Sequence, residues 1–91
     1  MKPRKEVTWF AEQMEMRLRG NDHKGGWRDC FTPWLFRRLT EEVEELRLEI
    51  YDKSGWNERR IIRECSDVAN FAMMIADNMY ELARWTEEIE D

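Results

Sequence analysis

Seven residues in the last third of the chain, Ile61, Cys65, Val68, Ala72, Ile75, Met79 and Leu82, succeed one another in alternating steps of four and three. At 3.6 residues per turn this spacing keeps all seven on one side of an α-helix, in the manner of a coiled-coil seam. Ile62, Ala69, Met73 and Ala76 widen that side, and no charged residue falls between Val68 and Ala76. A helix this apolar needs cover on more than one side. The spacing predicts one long helix from about Trp56 to Arg84 or beyond.

Two shorter helices are predicted upstream. The first covers about Pro3 to Leu18, where Val7, Phe10, Met14 and Leu18 form an apolar face. Arg19-Gly20-Asn21 ends it, with Gly20 suited to the left-handed C-terminal position. The second starts near Thr32-Pro33, with Thr32 as N-cap and Pro33 at the first helical position. Its stripe is Leu35, Leu39, Val43, Leu46 and Ile50, and Asp52-Lys53-Ser54-Gly55 makes the turn that follows. Period-two alternation is absent, so no strand is expected. The class is therefore all-α, a single domain over residues 1–91. A chain of 91 residues offers too few helices to cover the apolar run, so a helical bundle completed by oligomerisation is expected, as a dimer or higher.

Charge and composition narrow the function. Charged residues make up 38% of the chain with a net charge of -5, which argues against a nucleic-acid polymer as partner. No apolar run reaches the ~20 residues that span a bilayer, and Met1 to Phe10 lacks the apolar core of a signal peptide. Cys30 and Cys65 have no metal-type spacing, and Cys65, on the apolar stripe, reads as a buried thiol. A cytoplasmic location without membrane contact is expected. The single His23 excludes His-rich zinc sites and paired Glu-x-x-His di-iron bundles. The acidic tail, Thr86 to Asp91, reads as frayed.

Two stretches carry candidate chemistry. Glu41, Glu42 and Glu45 form E-E-x-x-E on the second helix, and Glu64 and Asp67 form E-x-x-D on the third. Residues three or four apart share a helix face, so packing the two helices side by side brings four carboxylates together. Such a group repels itself unless a cation sits within it, and a hard divalent ion such as Mg2+ takes oxygen ligands. By geometry Glu42 and Glu45 are the ligand candidates on the second helix, while Glu41 points nearly away from the stripe. The alternative is a solvated acidic face, with Glu64 paired to Arg60 four residues earlier. Asn21 to Cys30 is a loop, with Gly25 and Gly26 allowing close backbone approach and Lys24 and Arg28 able to meet phosphate. A flexible connector with two solvated cations is its alternative. Of the five tryptophans, Trp27 and Trp56 flank turns, where one could stack on a flat ring such as a nucleobase.

The joint pattern Glu41-Glu42-x-x-Glu45 and Glu64-x-x-Asp67 resembles the MazG-like all-α nucleoside triphosphate pyrophosphohydrolases, and the similarity covers most of the chain. Asn21-x-x-Lys24-Gly25-Gly26-Trp27 and Ser66-Asp67-Val68-Ala69-Asn70 look like the short phage and prokaryotic members. The resemblance implies Mg2+-dependent hydrolysis of a nucleoside or deoxynucleoside triphosphate to the monophosphate and pyrophosphate, in a dimer or tetramer, with Mn2+ a possible substitute. It makes Glu42, Glu45, Glu64 and Asp67 the metal ligands and Glu41 a supporting carboxylate. Lys24, with Arg60, Arg63 and Arg84 behind it, would hold phosphates, and Asn70 or Trp27 would meet the base or sugar. The chain is short for this family, so the family's fourth helix is either the far half of the third segment or supplied by a partner. Two other readings remain: a non-catalytic helical oligomerisation or partner-binding module, and a nucleotide binder without turnover.

Overall fold

The computed structural model describes residues 1–90, and the side chains at all of these but positions 23 and 88–90. It contains three α-helices, α1 (Lys5–Gly20), α2 (Thr32–Ile50) and α3 (Glu58–Glu90), with a short 3-10 turn at Asp22–Lys24. Among the described residues there is no strand, as expected for an all-α chain. Among the described residues no helix is long and apolar enough to cross a membrane. The third helix is continuous to Glu90, so the far half of the third segment is not a separate helix. Residues 86–90, read as a frayed tail, are helical, and Asp91 lies outside the described residues.

Local chemistry sets the ends. Gly20 closes α1 without a positive φ; the Asn21 side chain does the capping, donating to the Arg17 carbonyl at 3.0 Å. Phe31, not Thr32, holds the N-cap position of α2 without a side-chain cap bond, and Pro33 falls at the start of the first turn, where its missing N–H is not needed. The α2–α3 turn is built by Asp52, whose carboxylate accepts from the Ser54 N–H and hydroxyl at 2.8 and 2.7 Å. Gly55 has φ 108, a conformation that a side chain disfavours. Asn57 then caps α3, its Oδ1 accepting from the Arg60 N–H at 3.1 Å.

α1 and α2 both pack on α3. Both run antiparallel to it: Glu49 pairs with Arg60 and Arg38 lies over Phe71, while Arg17 meets Asp67 and Asn70 meets Met14. The buried line of α3 is Ser66 and Asn70, at 0% and 4% exposure. Each has its donor satisfied, Ser66 on the Ile62 carbonyl and Asn70 on the Met14 carbonyl, so small polar side chains sit between helices without a donor left bare.

The predicted stripes are rotated from the faces that are buried. On α3, Ala72, Met79 and Leu82 of the seam are exposed, and Cys65 is half-buried. On α2, Leu35 is 1% exposed, but Val43 and Ile50 face outward and Glu42 is buried at 7%. The α2 face against α3 is centred nearer Glu42 than the apolar stripe. Phe36, Val43 and Ile50, seven residues apart, form an exposed row on α2. A compact monomer of this mass, 11.2 kDa, exposes roughly 5,700 Å². This chain exposes 7558 Å², an excess that goes with these uncovered rows and with the exposed Tyr80, Leu82 and Trp85 of α3.

Candidate functional site

Antiparallel packing places the acidic turn of α2 against the acidic turn of α3. One carboxylate oxygen from each of Glu42, Glu64 and Asp67 lies within 4.8 Å of the others. Their charge is only partly answered. Arg17, from α1, grips Asp67 with two bonds, Nε to Oδ1 at 2.8 Å and Nη2 to Oδ2 at 2.9 Å. Arg38, one turn before Glu42 on α2, donates to Glu42 Oε1 at 3.0 Å and also to Glu41. Glu42 Oε2 and Glu64 Oε2 are buried and have no hydrogen-bond partner.

That arrangement shifts the carboxyls. Burial, followed by the neighbouring Glu45 and Asp67, pushes Glu42 up to about 7, with Arg38 pulling against the shift. Glu64 is raised for the same reasons, burial first and then the charges of Glu45 and Asp67. Arg17 is raised by its bond to Asp67, with Glu64 and Glu42 adding to the effect. Glu41, Glu42, Glu45, Glu64 and Asp67 carry five formal negative charges against the two positive charges of Arg17 and Arg38. A hard divalent cation fits this donor set: oxygen ligands only, an excess of negative charge, and two buried carboxylate oxygens without a donor. The alternative pairing of Glu64 with Arg60 does not form, because Arg60 reaches across to Glu49 at 2.7 Å.

The carboxylates floor one end of a cavity of about 420 Å³. Its walls change along its length. Beside the carboxylates stand Arg17 and Arg38; one turn further come Asn70 and Phe71; beyond these are Trp27, Cys30, Trp34, Leu35 and Met74. Lys24, Gly25 and Gly26 form part of the wall, and Gly25 has φ 88. The loop that supplies them is tied down rather than a free connector. Trp27 Nε1 and Arg28 Nη2 donate to Asp77 Oδ2 at 3.0 and 2.8 Å, and Asn78 Nδ2 donates to the Trp27 carbonyl at 3.1 Å. These bonds hold the loop against α3 and fix the Trp27 ring at the apolar end.

Of the residues singled out in the sequence, Lys24, Trp27, Glu42, Glu45, Glu64, Asp67 and Asn70 line this cavity. Glu45 is exposed and is not one of the three clustered carboxylates, but its carboxylate lies against those of Glu42 and Glu64 and raises both. Glu41 is exposed and engaged by Arg38. Three expected phosphate cations are elsewhere. Arg60 is held by Glu49, Arg63 lines a second cavity between α1 and α3, and Arg84 lies over Tyr80 near the far end of α3. Arg17, Arg38, Trp34 and Phe71 take places that the sequence reading did not assign. Arg38 was within reach, standing four residues before Glu42 as a helix ion pair requires. Arg17 was not, since its partner is 50 residues away.

A testable consequence concerns pH. Between an ordinary carboxyl value near ~4.5 and the folded value of about 7, the folded chain keeps a proton on Glu42 that the unfolded chain releases. Stability of the metal-free protein therefore falls as pH rises through that window, by up to about 1.4 kcal/mol per pH unit for one group. In EDTA, melting temperature should drop from about pH 5 to about pH 8, and Glu42→Gln should flatten the drop. An equally steep profile in the variant would show that Glu42 does not carry the effect.

No protein-family model, curated protein or solved structure matches this chain.

Proposed function

We propose that the chain is a Mg2+-dependent nucleotide pyrophosphohydrolase, converting a nucleoside or deoxynucleoside triphosphate and water to the monophosphate and pyrophosphate, as its MazG-like sequence pattern implies. The observation that supports this most is the pair of orphaned, buried oxygens on Glu42 and Glu64 at the charged end of a cavity whose other end is apolar. A solvated acidic face or a plain oligomerisation module leaves those oxygens unexplained.

Glu42, Glu64 and Asp67 would hold the ion, with Glu45 at the rim as the fourth carboxylate. When bound, Mg2+ neutralises charge on the phosphates and lowers the barrier to attack by water at the α-phosphorus. The remaining work belongs to the chain. Arg17, Lys24 and Arg38 are the cations in reach of phosphate oxygens, and Glu41 steadies Arg38. Trp27, Trp34 and Met74 offer ring faces and apolar surface to a base and exclude water at that end.

Self-association is part of the same proposal. The exposed row Phe36, Val43 and Ile50 on α2, and Ala72, Met79, Leu82 and Trp85 on α3, support a second copy as the missing cover. The chain's surface exceeds that of a compact monomer by on the order of 1,900 Å², enough for a stable dimer interface.

Three measurements test these claims. Mg2+ at about 100 times its dissociation constant should stabilise the protein by about 2.7 kcal/mol. Glu64→Gln should lose that response, and Glu44→Gln, whose parent carboxylate pairs with Arg47 outside the cavity, should keep it. Each amide variant of Glu42, Glu45, Glu64 and Asp67 should cut pyrophosphate release by about 10²-fold or more, with effects far from additive. If Glu64→Gln and Glu44→Gln behave alike, the enzyme reading falls. Light scattering at micromolar concentration should give at least a dimer. Ala72→Glu, at a site exposed in the single chain, should lower the mass without unfolding the helices. A monomer mass for the unaltered protein would contradict the assembly.

A further inference from the structure

Asn70 is the one neutral polar side chain of the cavity wall that is almost fully buried, at 4% exposure, yet only half of its amide is satisfied. Its Nδ2 donates to the Met14 carbonyl of α1 at 3.0 Å. A carbonyl only accepts, so this contact fixes which end of the amide faces α1. Oδ1 is left as an acceptor, buried and without a partner. Burying a lone acceptor is unfavourable until a donor meets it.

The position of Asn70 says which donor. It sits three residues beyond Asp67 on α3, about 4.5 Å further along the axis. On the facing helix, the same order runs from Glu45 and Glu42 through Arg38 to Leu35 and Trp34. Charged, polar and then aromatic walls succeed one another as phosphate, sugar and base do in a nucleotide. Asn70 stands at the middle level. Phosphate oxygens at the charged end are acceptors and cannot satisfy Oδ1, whereas a sugar hydroxyl can donate to it.

We infer that Asn70 recognises the sugar: its Oδ1, held in orientation by the Met14 carbonyl, accepts a hydrogen bond from a hydroxyl of the nucleotide's ribose or deoxyribose. The inference rests on the nucleotide reading above and adds to it a residue that distinguishes a nucleotide from a bare polyphosphate chain. Asn70 is thus a specificity residue and takes no part in bond breaking.

The test is calorimetric titration with Mg2+ present, using α,β-imido triphosphates, which resist cleavage between the α and β positions. The 2′-deoxy compounds of the four common bases identify the tightest base. That base is then compared as its ribo, 2′-deoxy and 2′,3′-dideoxy forms, beside inorganic tripolyphosphate. The dideoxy form should bind about tenfold more weakly than the better of the other two. Which of those two is the better tells the 2′-hydroxyl from the 3′-hydroxyl. In Asn70→Ala, or in Asn70→Leu where the smaller residue does not fold, the preference should collapse to a ratio near one while tripolyphosphate affinity is unchanged.

A dideoxy form that binds the unaltered chain as tightly as the others overturns the inference. So does a tenfold preference that survives in the variants, which would give the hydroxyl to another residue. An equal loss of tripolyphosphate and nucleotide in the variants would move Asn70 to the phosphate end and overturns it too. If the unaltered chain binds tripolyphosphate without regard to sugar, the metal and phosphate reading stands and this inference alone fails. If it binds neither probe, both fail.

Discussion

The burial of carboxylates in the contact between α2 and α3 governs this structure. Glu42 is among the best-buried side chains, and it lies where the hydrophobic pattern alone would have placed a Val43 or an Ile50. Removing an ionised carboxylate from water costs several kcal/mol unless opposite charge and hydrogen bonds replace the water. Arg38 and Arg17 supply part of that replacement, and two oxygens remain unanswered. The shift of Glu42 to about 7 is the electrostatic record of that deficit. A hard divalent cation, which takes oxygen ligands, fits that deficit.

Other features follow from that placement. Turning Glu42 inward turns Val43 and Ile50 outward, which leaves apolar rows for a partner. The hydrogen-bonded contacts between α1 and α3 bracket the same region: Arg17 on Asp67, and the Met14 carbonyl on Asn70. The loop between α1 and α2 is pinned at Asp77 and Asn78, which keeps Lys24 and Trp27 on the cavity wall. Charged floor, polar middle and aromatic end thus arise from the antiparallel pair α2 and α3, one anchored loop and Arg17 from α1.

Much of this was legible in the chain. Spacing marked three helices, and the α2 start differs from the N-cap expectation by one residue. E-E-x-x-E and E-x-x-D pointed to carboxylates meeting across two helices, because side chains three or four apart share a face. The rotation of each helix was not legible. Apolar periodicity locates every face that seeks cover, whether a helix of the same chain or a second copy supplies it, so Ala72 and Met79 read as core although they are exposed. Long-range ion pairs were equally hidden. Sequence alone offered Arg63 as a phosphate cation and passed over Arg17, and only tertiary packing places Arg17 on the carboxylate cavity and Arg63 on the neighbouring one.

The central claim is that the carboxylate cluster serves hydrolysis at the α-phosphorus. Its most direct measurement is phosphorus NMR of the products formed from nucleoside triphosphates with Mg2+ in 18O-labelled water. Attack at the α-phosphorus predicts monophosphate and pyrophosphate as the only products, with the label on the monophosphate. Label on pyrophosphate, release of orthophosphate and diphosphate, or no turnover of any natural triphosphate would contradict it.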